Sequence, residues 1–246
     1  MTGKFLLPGK FLAVAAWAAY TIFFVRVVAH VALWFKRPWR GAAAGMPPED
    51  VKLKLPVLPV IAPAALEALF LRRLLKANPV LWIGEWVFHM SFVLVLLRHL
   101  RYFLTPVPEF IWRMQLPGRI AGYIMPFSLL YIIIVKAVAG KSRYAFGYNY
   151  FLLVTLLLIS GLGVLMSTVF HPNIVAVKEY MMSALRLKAA ASVAAAWSLP
   201  GGLPFLAHFT LALVLLVYLP THIFAAPFTL YEAKKREKTL GRILHD

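Results

Sequence analysis

Long apolar runs alternate with short polar connections rich in arginine, lysine, glycine and proline. Five runs exceed the roughly 18 residues that separate membrane-spanning helices from buried core helices. They predict spanning helices at about residues 11–35, 80–104, 119–139, 148–170 and 205–230. The connection 36–79 splits in two. Its Gly- and Pro-rich stretch 41–63 reads as irregular, whereas 64–76 (AALEALFLRRLLK) has the pattern of an amphipathic helix lying on a membrane surface. Asn78-Pro79 then opens the second spanning helix, with proline at a tolerated first-turn position. Within the connection 171–204, residues 173–190 form a second amphipathic candidate, and 231–246 is a polar tail. No internal repeat is evident, which disfavours an inverted-repeat transporter. The expected architecture is one all-α integral membrane domain over 1–246: a five-helix bundle with amphipathic surface helices.

Composition strengthens this reading. Hydrophobic residues make up 62% of the chain and charged residues 14%, against about 25% charged in an ordinary soluble domain. With no cysteine, the chain holds no disulfide, no iron–sulfur cluster of its own and no haem attached through a C-x-x-C-H motif.

The net charge of +17 raises nucleic acid as a partner, but the basic residues flank membrane segments. They read as topology signals, anionic-lipid contacts and docking points for acidic proteins, with no nucleic acid implied. Eight lie in 36–79, five in the tail, and Lys136, Lys141 and Arg143 surround the third connection. The opposite side carries nine: Lys4, Lys10, Arg98, Arg101, Arg113, Arg119, Lys178, Arg186 and Lys188. Arg26 stays inside the first helix. The positive-inside rule therefore predicts the N-terminus outside and the C-terminus in the cytoplasm. Lys4 and Lys10 before an apolar run resemble a signal peptide. The run is too long for an h-region and lacks a small-residue cleavage site, so an uncleaved helix in the cytoplasmic (inner) membrane is expected.

Four histidines lie within the apolar segments: His89 and His99 in the second, His208 and His222 in the fifth. An imidazole in a lipid-spanning segment is costly and needs a partner. The spacings correspond to about 15 Å and about 21 Å along a helix axis, and return to within roughly 80° and 40° of the starting direction. With antiparallel helices, depth matching gives an outer pair, His99 with His208, and an inner pair, His89 with His222. Facing neutral imidazoles suit the axial positions of a b-type haem iron, whose role is then electron transfer. Zinc fits less well, because each level offers two imidazoles and only Glu85 is a nearby carboxylate. The same histidines could also be hydrogen-bonded packing residues.

Other residues refine the picture. His30, His171 and His245 read as packing, interfacial or solvated side chains. Gly84, Gly161 and Gly163 admit close helix approach or a macrocycle edge, and Pro220 should kink the fifth helix just before His222. Arg98 and Arg101 flank His99 and are candidates for pairing haem propionates. Arg98 and Arg119 are candidates for donating to a quinone carbonyl, and Glu109 for accepting quinol protons. Snorkelling to headgroups is the plain alternative for the arginines.

The five-helix layout, with helix-two histidines ten residues apart and a second pair on helix five, resembles the gamma subunit of respiratory nitrate reductase. It also resembles the membrane cytochromes of the DsrM and heterodisulfide reductase type. The resemblance covers about residues 10–230, and its specific part is His89/His99 and His208/His222. It implies two haem b groups, with His99 and His208 ligating the outer iron and His89 and His222 the inner one. It further implies oxidation of quinol or menaquinol near the outer haem, with Arg119 in the place of the family's basic residue. Electrons would pass to a cytoplasmic iron–sulfur subunit, with further membrane or periplasmic cytochrome c subunits as additional partners. The fourteen-residue spacing in helix five and Arg98 in place of a small residue favour the DsrM-like branch. Two other classes remain: a proton or metal transporter using the histidines as a relay, and a non-redox membrane anchor.

Overall fold

The computed structural model describes residues 6–36, 66–67, 69–138, 147–185 and 202–223. All regular structure among them is helical. The elements are α1 (Leu6–Lys36), α2 (Arg72–Ala77), α3 (Pro79–His99), α4 (Glu109–Arg113), α5 (Gln115–Val138), α6 (Gly147–Thr168), α7 (Ile174–Leu185) and α8 (Gly202–Ile223). A 3-10 turn, Leu100–Tyr102, extends α3. Five helices are long and apolar enough to cross a membrane: Leu12–Leu33, Pro79–Tyr102, Gln115–Val138, Asn149–Thr168 and Gly202–Pro220. These are the five the apolar runs predict. The 41–63 stretch, His245, the tail and residues 224–230 of the fifth predicted helix lie outside the described residues.

Local chemistry sets the helix starts. Asn78 Oδ1 accepts the Leu81 N–H at 3.0 Å, and Pro79 occupies the first helical position, where its missing N–H costs nothing. Asn173 Oδ1 accepts the N–H groups of Val175 and Ala176 at 3.0 and 3.2 Å, opening α7.

Two boundaries differ from the sequence expectation. The amphipathic segment 64–76 is not one helix. Leu71 adopts a left-handed conformation, φ 48° and ψ 42°, and separates α2 from the helical residues before it. That conformation is unfavourable for a residue with a Cβ. Two bonds span the break: Glu67 Oε1 accepts the Arg73 N–H at 2.6 Å, and Trp82 Nε1 donates to the Phe70 carbonyl at 2.7 Å. In addition, α5 begins at Gln115, so Arg119 sits one turn inside the helix instead of opening it. Pro117 falls in the first turn, where its missing N–H is tolerated.

The spanning helices are neighbours in the order α3, α5, α6, α8, α1. One buried cluster fills the α3–α5–α6 side and reaches α8, through Leu81, Phe88, Met125, Leu129, Ile132, Leu156, Ile159 and Leu215. A second joins α1, α7 and α8 through Leu12, Ala16, Val177, Tyr180, Phe205 and Phe209, with Tyr102 and Phe103 packed against it. The buried face of α7 is Ala176, Val177, Tyr180, Met181 and Ala184, an amphipathic stripe at helical spacing. Trp17 of α1 donates to the Ala184 carbonyl at 2.6 Å and holds α7 against the bundle. Among the described residues, α3 and α8 are not closely packed backbone to backbone. A gap separates the two histidine-bearing helices.

Candidate functional site

His99 ends α3 and His208 lies in the second turn of α8. Their rings face each other across the gap, with centres 6.4 Å apart and planes inclined by 12°. Each ring is oriented by a backbone carbonyl. His99 Nδ1 donates to Val95 O at 2.7 Å, one turn back on its own helix. His208 Nδ1 donates to Ile159 O at 2.9 Å, on the neighbouring α6. A carbonyl only accepts, so in both rings Nδ1 carries the proton and Nε2 keeps its lone pair. That tautomer is the one required of a histidine that ligates a metal through Nε2, and the carbonyl fixes the ring's aim.

These features fit a bis-histidine haem. Two imidazole-to-metal bonds of about 2 Å each, with the ring radii added, give about 6 Å between ring centres. Gly163 lies next to His208, whereas Gly161 is exposed with no such neighbour. A methyl group at Gly163 would lie 3.6 Å from His208 Cε1, whereas one at Gly161 would meet nothing within 4 Å.

The arginines complete the His99 end. Arg101 Nη1 donates to Gln115 Oε1 and Nη2 to the Tyr102 hydroxyl, both at 2.6 Å. The Nε atoms of Arg98 and Arg101 are buried with no hydrogen-bond partner among the described residues. A buried, unpaired guanidinium N–H calls for an anionic or strongly accepting group, and propionate carboxylates meet that need. Arg101 and Arg119 both lie within electrostatic range of Arg98. Gly118, which the sequence reading passed over, lets α5 approach: a Cβ there would fall 2.7 Å from Arg98 Cβ and 3.0 Å from Leu94 O. Arg119 itself is exposed.

Glu109 is placed differently. Its Oε1 lies 3.3 Å from Arg113 Nε, with both side chains about three-quarters exposed at 74% and 76%. Neither residue joins the arginine group around His99, because both face outward from the short α4.

At the middle of α3, ten residues before His99, His89 Nδ1 donates to Glu85 O at 2.6 Å, which again leaves Nε2 free. Its side chain is 46% exposed. The backbone of His222 belongs to α8, but its side chain lies outside the described residues. Gly84 serves helix packing: a Cβ there would come within 2.6 Å of Tyr131 Cδ1 and 2.9 Å of Ile132 Cγ1. His30 is partly buried in α1 and His171 is exposed after α6. No group of three or more His, Cys, Asp or Glu side chains converges into a metal-ion site among the described residues.

Fold and site together define a multi-pass membrane protein with a facing histidine pair between two of its spanning helices. Comparison with known proteins narrows that class. The chain is 29% identical over 151 residues to a protein of Archaeoglobus fulgidus named Hdr-like menaquinol oxidoreductase cytochrome b-like subunit, covering 57% of this chain and 45% of that protein. It is 24% identical over 155 residues to a protein of the same name from Archaeoglobus profundus, covering 57% of this chain and 44% of that one. The chain thus spans less than half the length of these curated relatives. The similarity favours the heterodisulfide reductase side of the resemblance over nitrate reductase. No family model matches the chain, and no solved structure matches it at a significant level.

Proposed function

We propose that this chain is the di-haem b subunit of a membrane oxidoreductase, exchanging electrons between the quinone or menaquinone pool and a cytoplasmic iron–sulfur subunit. The observation that carries the reading is the His99–His208 pair: near-parallel rings 6.4 Å apart, each with Nδ1 committed to a carbonyl. A b-type haem held by two histidines would supply one-electron chemistry there. His99 and His208 would hold one such group, and His89 and His222 the other.

The protein's own residues do the rest. Val95 O and Ile159 O fix the tautomer and aim of the two rings. Gly163 keeps a side chain away from the gap beside His208. Arg98 and Arg101 offer buried N–H groups to carboxylates, and Arg119, exposed one turn inside α5, would orient a quinone oxygen. In the predicted orientation the His99 end of α3 faces outside and its Pro79 end faces the cytoplasm, with His89 between them. The basic segments 36–79 and 231–246 then present a docking surface to an acidic partner. The names of the two relatives support the menaquinol and cytochrome b parts of this reading.

The test is a reduced-minus-oxidised spectrum with haem extraction on the purified protein. Wild type should show b-type bands. H99A and H208A should each remove the same portion of them, and H89A and H222A the remainder. Absence of b-type bands in the wild type, or full haem content in all four variants, would refute the proposal.

A further inference from the structure

Glu85 of α3 and Lys136 of α5 form an ion pair inside the bundle. Oε1 and Nζ are 2.7 Å apart, and each side chain is only 15% exposed. The two residues lie 51 positions apart and meet because of how their helices cross. Gly84 brings Tyr131 and Ile132 against the α3 backbone, and the Tyr131 hydroxyl donates to Val80 O at 3.0 Å. Lys136, one turn beyond Ile132, then falls beside Glu85.

A pair of this kind adds little to stability, because desolvating two charges offsets their attraction. Ionisable residues within spanning helices are expected to serve function. The neighbouring group here is His89. Its Nδ1 bonds the Glu85 carbonyl at 2.6 Å and lies 4.0 Å from Glu85 Oε2. One carboxylate oxygen therefore faces the imidazole while the other faces the ammonium of Lys136.

We propose that the Glu85–Lys136 pair sets the reduction potential of the haem held through His89. The inference rests on the di-haem reading above. A carboxylate beside the ligand favours the oxidised iron, which carries one more positive charge. The ammonium on its far oxygen opposes that effect. In a low-dielectric interior both charges act at several ångströms with little screening. Glu85 and Lys136 are positioning residues in this scheme: they act on the haem through His89 and its surroundings, and their opposed charges hold the potential between two extremes.

The experiment is a potentiometric titration of haem absorbance on the full chain at one fixed pH, with haem content measured first. The component that persists in H99A marks the His89 end. In E85Q, which leaves the ammonium alone, the potential of that component should rise. In K136Q, which leaves the carboxylate alone, it should fall. E85Q/K136Q should return close to wild type, and K136R should not move. Shifts of opposite sign are a signature that a merely structural pair does not produce. Shifts of the same sign, or no shift in either variant, overturn the proposal. If E85Q fails to retain haem, K136Q against K136R decides alone, and coincident potentials refute it. A wild-type chain without haem overturns the functional reading itself. Haem present with unsplit potentials overturns only the role of the pair.

Discussion

Replacing Gly84 by alanine tests the crossing on which the His89 end depends. The added Cβ would lie 2.6 Å from Tyr131 Cδ1 and 2.9 Å from Ile132 Cγ1, well inside van der Waals contact. Neither neighbour yields easily. Tyr131 is tethered by its hydroxyl to Val80 O at 3.0 Å, and Ile132 is fully buried. Overpacking of this kind costs about 1–3 kcal/mol. Alanine recovers about 1 kcal/mol of helix propensity, so the net loss should be up to about 2 kcal/mol. Gly161→Ala is the internal control, because its Cβ meets nothing within 4 Å and only the propensity gain applies. At about 2–4 °C per kcal/mol for a chain of this size, thermal loss of helical circular dichroism in detergent should separate the two variants by several degrees. G84A should fall below wild type and G161A should match or exceed it. G84A as stable as G161A would show that α3 and α5 do not cross where described.

Three further outcomes follow from the packing and the charges. The double variant R98Q/R101Q should lower haem retention at the His99 end while leaving the His89-end component in place; equal retention by both would show that the buried Nε groups meet no carboxylate. The Tyr180 hydroxyl is buried without a partner among the described residues, so Y180F should be at least as stable as wild type near neutral pH, since it removes an unpaired polar atom. Burial, with a smaller contribution from Tyr20, pushes that hydroxyl up to about 12 from 10.0. The unfolded chain then releases the proton first, and stability conferred by the neutral phenol falls as pH rises from 10 towards 12. Alkaline thermal scans should show a shallower decline in Y180F; parallel slopes would refute the assignment.

The sequence made the five spanning helices legible because an apolar run of that length has no other stable use. It also paired His99 with His208, since antiparallel helices and equal depth leave few alternatives. Residues whose role depends on helix crossing were not legible. Glu85 and Lys136 carry no helical spacing signal across two different helices, and Lys136 read naturally as a topology charge. Gly84 was ambiguous until Tyr131 and Ile132 were placed against it. The break at Leu71 was hidden because leucine is among the residues least expected at positive φ. The third helix was expected from about residue 119, yet it begins at Gln115 and its first turn accommodates Pro117.

Arg26, left unassigned by its position within the first helix, donates through Nη1 to the carbonyl of Val217 at 2.8 Å. The bond lies beside the position where Pro220 interrupts the α8 ladder, since a proline withholds the N–H that Leu216 O would receive. The two partners are 191 residues apart, so the order of synthesis matters. When α1 leaves the ribosome, the carbonyl that Arg26 binds has not been made. An arginine near a helix centre disfavours insertion by about 2.5–3.5 kcal/mol. The newly made α1 therefore carries a guanidinium whose Val217 partner exists only once α8 has been made.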